Sequence, residues 1–171
     1  MIFCRKKIFR YLSIACFGVI STAAQAQHKV LSCSDGDTCR IADNKGDIIK
    51  VRLVGIDAPE TRGNKKKHKS RQPYSLEAKS FLNSRVAEKN ITLTSYGTDA
   101  FGRVLGDISI NGESVNMALV REGMAECYRG KPPKGYSTKF CEDAQAQAKA
   151  AQKGIWSLAT YESPKDFRRK K

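Results

Sequence analysis

The chain has 171 residues, with 31 Lys and Arg against 17 Asp and Glu and six cysteines. That length suits one domain with a real hydrophobic core and leaves little room for a second. The surplus of positive charge favours a polyanionic partner, because neutralised phosphates release counterions; composition by itself is equally compatible with a charge that serves solubility.

The first 26 residues read as a cleaved secretory signal. Arg5, Lys6, Lys7 and Arg10 precede an apolar run from Tyr11 to Ile20, and Ala24-Gln25-Ala26 supplies a small-residue cleavage site. The run is too short for a membrane span, and no later segment is long or apolar enough to be one, so no membrane anchor is expected. A lipoprotein reading through Cys16 is disfavoured by Ser13, which stands where an aliphatic residue is usual. The expected mature chain begins at Gln27 and keeps 27 Lys and Arg against 17 acids. Export is expected, to a periplasm or to the medium.

Residues 29–33, 38–41 and 48–56 read as three strands separated by Asp35-Gly36-Asp37 and Asn44-Lys45-Gly46 turns. Pro59 ends the third. Residues 62–71 hold six basic side chains and no acid, which predicts an exposed loop able to form an electrostatic collar for a nucleic-acid strand. A helix is expected from Ser75 to about Lys89, with Leu76, Phe81, Leu82 and Val86 on its apolar face. Strands follow at 91–95 and 103–110, the second ending at Asn111-Gly112. Two more helices are expected at 114–122 and 144–152, stopped by Gly123 and Gly154, with Trp156 packed just beyond.

Five strands with helices after the third and fifth predict an α+β chain, a five-stranded OB-fold β-barrel with about three α-helices over residues 27–160. A generic α+β sandwich is the runner-up. Residues 161–171 are basic and unpatterned, and a disordered tail is expected.

Two of the six cysteines leave with the signal. Cys33, Cys39, Cys127 and Cys141 remain, and three pairings are open. Cys33 with Cys39 and Cys127 with Cys141 is favoured, because each pair is close in sequence and would pin a loop near the charged segments described next. Zinc fits poorly, since neither spacing is the Cys-x₂₋₄-Cys of a thiolate site. His28 and His68 lack carboxylate or thiol neighbours and read as bystanders.

Asp35-Gly36-Asp37-Thr38 alone is a common turn. Arg52 to Glu60 is more unusual, because it places an Arg and two acids in and just after an apolar strand, where charge must be paired or bind a metal. Simple alternation sends Arg52 and Asp57 to opposite faces, so a bend near Gly55 is needed to bring them together. A second arginine, Arg103, opens the fifth strand after Gly102.

These segments, with Val115-Asn116, Ala118 to Arg121 and Gly154-Ile155-Trp156, resemble the staphylococcal nuclease (thermonuclease) family over roughly residues 30–157. The resemblance implies a calcium-dependent endonuclease of the OB fold, a monomer that hydrolyses DNA and RNA and leaves 3′-phosphorylated products. It also implies that Asp37, Asp57 and the Ala58 carbonyl hold Ca2+, that Arg52 and Arg103 clamp the phosphate, and that Glu60 orients or deprotonates water. The staphylococcal enzyme carries a lysine and a tyrosine where this chain has Ala100 and Phe101, so a terminal-phosphate contact is expected to be lost. Tyr128 reads either as an aromatic surface for a base or as a core residue. A non-catalytic OB module that binds nucleic acid is the alternative; it has no need of three carboxylates.

Overall fold

The computed structural model describes residues 28–43, 45–61 and 71–170. The expected signal and all of the basic loop except Arg71, including His68, lie outside the described residues.

Strands β1 (His28–Cys33), β2 (Thr38–Ala42) and β3 (Ile48–Leu53) form an antiparallel meander. A two-residue strand β4 (Ile56–Asp57) follows, then helix α1 (Ser75–Val86) and the long hairpin of β5 (Asn90–Thr98) and β6 (Val104–Ile110). β5 pairs back to β1, and β6 runs parallel to β3, which closes five strands into a barrel. Closure leaves the ring of strands without a free edge.

Alternation sets what fills the barrel. Cys39 and Ile41 of β2, Val51 and Leu53 of β3, Ile91 of β5 and Ile108 of β6 are all buried, while Arg40, Lys50 and Arg52 between or beside them turn outward. Burying each such aliphatic side chain contributes about 1.5–3 kcal/mol. α1 closes one end with Ala78, Leu82 and Val86; Leu76, expected on that face, is exposed, and Ala78 takes the contact in its place.

A short strand β7 (Glu113–Ser114) leads into α2 (Val115–Arg121), whose N-cap Ser114 accepts a bond from Met117 N–H. β8 (Glu126–Cys127) pairs with β4, and α3 (Lys139–Ala150) packs on α2. α3 begins earlier than its alanine-rich stretch predicts, at a turn that carries Cys141. Cys127–Cys141 bonds β8 to α3, and Cys33–Cys39 bridges the β1–β2 turn, so both favoured pairings form. A 3-10 turn (Gly154–Ser157) places Trp156 against Tyr161 and Lys149.

The expectation of a disordered tail is corrected. Pro164–Arg169 form a fourth helix, α4. Ser163 Oγ accepts from Asp166 N–H at 3.0 Å and donates to Asp166 Oδ2 at 2.7 Å, Pro164 stands in the first turn, and Phe167 is buried. Among the described residues, no helix is long and apolar enough to cross a membrane.

Candidate active site

The Asp35–Asp37 turn is held at its base by the Cys33–Cys39 bridge and inside by Asp37 N–H bonding Asp35 Oδ1 at 3.1 Å. Gly36 is required there. A Cβ on it would lie 2.7 Å from the Ala58 Cβ and 2.8 Å from that of Ala78, so the turn is wedged between the end of β4 and α1. Asp37 then meets the β4 segment directly, with Ala58 N–H donating to its Oδ2 at 3.0 Å and Thr38 Oγ1 to its Oδ1 at 3.0 Å.

β3 stops at Leu53 because the chain turns through Val54 and Gly55, the latter at φ +78°. Two contacts fix this bend. Tyr128 N–H donates to Gly55 O at 2.9 Å, and the buried Asn116 amide donates to Val54 O at 3.0 Å and Gly106 O at 3.1 Å while accepting from Ile108 N–H. The bend returns Asp57 to Arg52. Arg52 Nη2 lies 2.8 Å from Asp57 Oδ1, and Nη1 pairs with Asp37 Oδ1, so one guanidinium bridges two carboxylates. Asp57 is only 1% exposed and Asp37 5%.

Glu60 sits on the loop after β4, held by the side chain of Gln72. Gln72 Oε1 accepts from Glu60 N–H at 2.9 Å, its backbone N–H bonds Glu60 O at 3.0 Å, and its Nε2 donates to Glu162 O at 3.1 Å. Arg168 of α4 completes the cluster. Its Nη1 and Nη2 donate to Asp57 Oδ1 and Oδ2 at 3.0 and 2.7 Å, and Nη1 also reaches Glu60 Oε1 at 2.6 Å.

Arg103 stands apart from this cluster. It precedes β6, and the parallel register pairs Arg52 with Leu105, two residues further on, so both arginines belong to the outer face of the β3–β6 pair. Its Nη2 pairs with Asp99 Oδ2 at 2.7 Å, Asp99 Oδ1 accepts from the Phe101 and Arg103 N–H groups, and the guanidinium lies 5.5 Å from the centre of the Phe101 ring. Phe101 is 84% exposed and Tyr128 is also exposed, which removes the core reading of Tyr128.

Burial would raise the Asp37 carboxyl, but the Arg52 guanidinium and the Ala58 N–H outweigh it and hold Asp37 below the usual carboxylate range. Asp35 goes the other way. Burial and the charge of Asp37 push it up to about 6. Burial also raises Glu60, against the opposing pull of Arg168. Among the described residues, Asp37, Asp57 and Glu60 pair with Arg52 and Arg168, and Asp35 lies beside Asp37, an excess of negative charge that suits a divalent cation. Among the described residues, no three His, Cys, Asp or Glu side chains are grouped as a metal cage. A cation here would take two carboxylates, backbone oxygen and water, a donor set that fits calcium and lacks the imidazole or thiolate that zinc prefers.

Three contributors carry no assigned role in the sequence reading: Gln72, Asn116 and Arg168. Asn116 had a signal, being a polar residue among the apolar positions of α2. Arg168 had one too, because Ser163-Pro164 with Asp166 is a helix-start pattern. Gln72 had none.

Known proteins share this arrangement of segments. The family model described as staphylococcal nuclease homologue matches residues 50–158. A thermonuclease of Staphylococcus hyicus is 33% identical over 140 residues, spanning 81% of this chain and 80% of that protein. An uncharacterized endonuclease of Escherichia coli is 31% identical over 150 residues, 86% of this chain and 88% of that protein. A probable staphylococcal-like nuclease of Oryza sativa subsp. japonica is 28% identical over 151 residues, which are 88% of this chain and 35% of that longer relative. With the closed barrel and the family model agreeing over more than half its length, the chain belongs to the staphylococcal nuclease family.

Proposed function

We propose that the protein is an exported, monomeric, calcium-dependent nuclease that hydrolyses DNA and RNA internally with little sequence preference and leaves 3′-phosphorylated products. The observation that carries this reading is the Arg52 guanidinium shared by the two buried carboxylates Asp37 and Asp57. A module that only binds nucleic acid gains nothing from acids at that point, since they repel phosphate unless a cation intervenes.

Asp37, Asp57 and the carbonyl of Ala58 are the residues that would hold calcium. When bound, the ion supplies positive charge and Lewis acidity to a phosphate oxygen. Arg52 has five N–H donors and uses Nη1 and Nη2 on carboxylates, which leaves donors for a phosphate oxygen and anchors the fork before substrate arrives. Arg103, oriented by Asp99, offers a second fork from the same outer face, and both stabilise charge that grows on the phosphate oxygens. Glu60, with its carboxyl raised by burial, accepts a proton from the attacking water. The water oxygen bonds to phosphorus as the bond to the 5′ oxygen breaks; the departing 5′ oxygen takes a proton from solvent, and Glu60 later returns its proton to solvent.

The test is degradation of linear and circular DNA and of RNA by the mature chain, in calcium and then in chelator. Cleavage of all three with calcium and none with chelator is expected. Intact nucleic acid in calcium, with binding retained, would instead establish the non-catalytic module.

A further inference from the structure

α4 is anchored from several sides. Phe167 is buried, Lys165 Nζ donates to Arg129 O at 2.8 Å, Arg129 Nη2 meets Asp166 Oδ2 at 3.1 Å, and Lys170 Nζ meets Glu162 Oε1 at 2.7 Å. These contacts present Arg168 to the site in a fixed orientation. Its fork occupies both oxygens of Asp57 and one of Glu60, and Asp57 Oδ1 already receives Arg52.

A carboxylate oxygen that accepts two N–H groups, beside a second oxygen that accepts one, offers little to a metal. A guanidinium within 3 Å of both oxygens also repels a divalent cation. Asp57 therefore has two occupants of the same sign, one supplied by the chain itself. Arg168 is 40% exposed at its side chain, whereas Asp57 is 1% exposed, so the tail can leave and the carboxylate cannot.

We infer that Arg168 and the divalent cation are alternative partners of Asp57, so that α4 is a built-in plug which cation binding displaces. This rests on the calcium reading of the site given above. The apparent dissociation constant for the cation is then the intrinsic one divided by the fraction of molecules whose plug is open. Gln72 ties the plug to the substrate side, because the same amide holds the Glu60 backbone and the Glu162 carbonyl that leads into α4. Opening the plug frees Glu60 and Asp57 together.

The experiment is calorimetric titration of calcium chloride into the mature chain, without nucleic acid, for the parent and for Arg168→Ala, Phe167→Ala and Asp57→Asn. Arg168→Ala is expected to tighten calcium binding about tenfold, and Phe167→Ala, which undocks α4, to do the same. Asp57→Asn should abolish binding. In parallel, backbone amides of 165–169 in the parent should exchange with deuterium faster in calcium than in chelator. Calcium binding that is lost in Asp57→Asn yet equal or weaker in Arg168→Ala overturns the plug and leaves the metal site standing. Absence of calcium binding in every variant, or binding indifferent to Asp57→Asn, overturns both. Binding changes without any change in exchange over α4 overturn displacement of the helix.

Discussion

Arg52 and Asp57 are five residues apart and would face opposite ways along a regular strand, yet Arg52 Nη2 lies 2.8 Å from Asp57 Oδ1 because the chain folds back at Gly55. A Cβ at Gly55 would collide with the ring and hydroxyl of Tyr136, and φ +78° is itself unfavourable for any other residue. Gly55→Ala is expected to destabilise the fold by about 2–4 kcal/mol and to lower kcat by at least tenfold, since Asp57 moves with the bend. Urea unfolding and steady-state kinetics on the same preparation check both.

Arg52, Glu60 and Arg103 should separate by their effects. Glu60→Gln, which keeps shape and removes the proposed proton acceptor, is expected to lower kcat by about 10²–10⁴ with KM little changed. Arg103→Lys should lower kcat by a similar factor, because a point charge cannot replace a planar fork. Among the described residues, the polar and ring partners of Arg103 are Asp99 and Phe101, both at the surface, so its loss should leave the stability within about 0.5 kcal/mol of the parent. Arg52→Lys should lose both activity and stability, because it leaves Asp37 and Asp57 without their common partner.

Asn116 is fully buried and joins α2 to the barrel and to the Val54–Gly55 turn through three hydrogen bonds. Asn116→Ala is expected to cost about 3 kcal/mol, since it strands the Ile108 N–H and the Val54 carbonyl and takes from Gly106 O one of its two donors, the other being Val54 N–H. Asn116→Asp should cost as much or more, because a carboxylate cannot donate to those carbonyls. Thermal unfolding monitored by circular dichroism distinguishes these from surface changes.

Much of the fold was legible in the residues. The alternation in β2 and β3, the Asp-Gly and Asn-Gly turns, and the glycine stops after the helices are local signals, and the barrel follows from their order. The need for a bend at Gly55 was legible as well, because a charge pattern that alternation cannot satisfy requires one. Leu76 was misplaced because the helical face was taken from its largest apolar residues, whereas α1 buries Ala78, which lets Gly36 and the Asp37 turn come close. The tail was misread because its net charge masked the Ser163–Asp166 cap. The partners of Arg168 lie 108 and 111 residues away, a relation that no local pattern encodes.

Asp35 makes stability depend on pH in a predictable direction. Its carboxyl is raised to about 6 in the folded chain against an ordinary value of 3.8. Between those values the unfolded chain releases a proton that the folded chain keeps, so stability falls as pH rises through that window, and the full penalty is present above it. In chelator, Asp35→Asn should therefore be more stable than the parent at pH 7.5 by about 1–2 kcal/mol, after solvent screening of this half-buried group, and the two should converge near pH 4. Urea titrations at the two pH values provide the comparison.

By the family resemblance Phe101 stands where the staphylococcal enzyme has a tyrosine, and it lies open to solvent beside Arg103. Binding of a nucleoside 3′,5′-bisphosphate should accordingly be weaker than in that enzyme, and Phe101→Tyr should strengthen it by about fivefold through one added hydrogen bond to phosphate. Calorimetry in calcium measures this, and equal affinity of parent and variant would remove Phe101 from the account.

The Cys33–Cys39 bridge closes the short loop that contains Asp35, Gly36 and Asp37, and so one of the two carboxylates proposed for calcium is shaped by a bond that only an oxidising environment maintains. A reduced chain would have to hold that loop through hydrogen bonds and the packing of Gly36 alone. Maturation of the site is thereby tied to where the polypeptide finishes folding. If the chain is the exported nuclease proposed above, its site would gain its full geometry in an oxidising compartment, away from the nucleic acid of its producer.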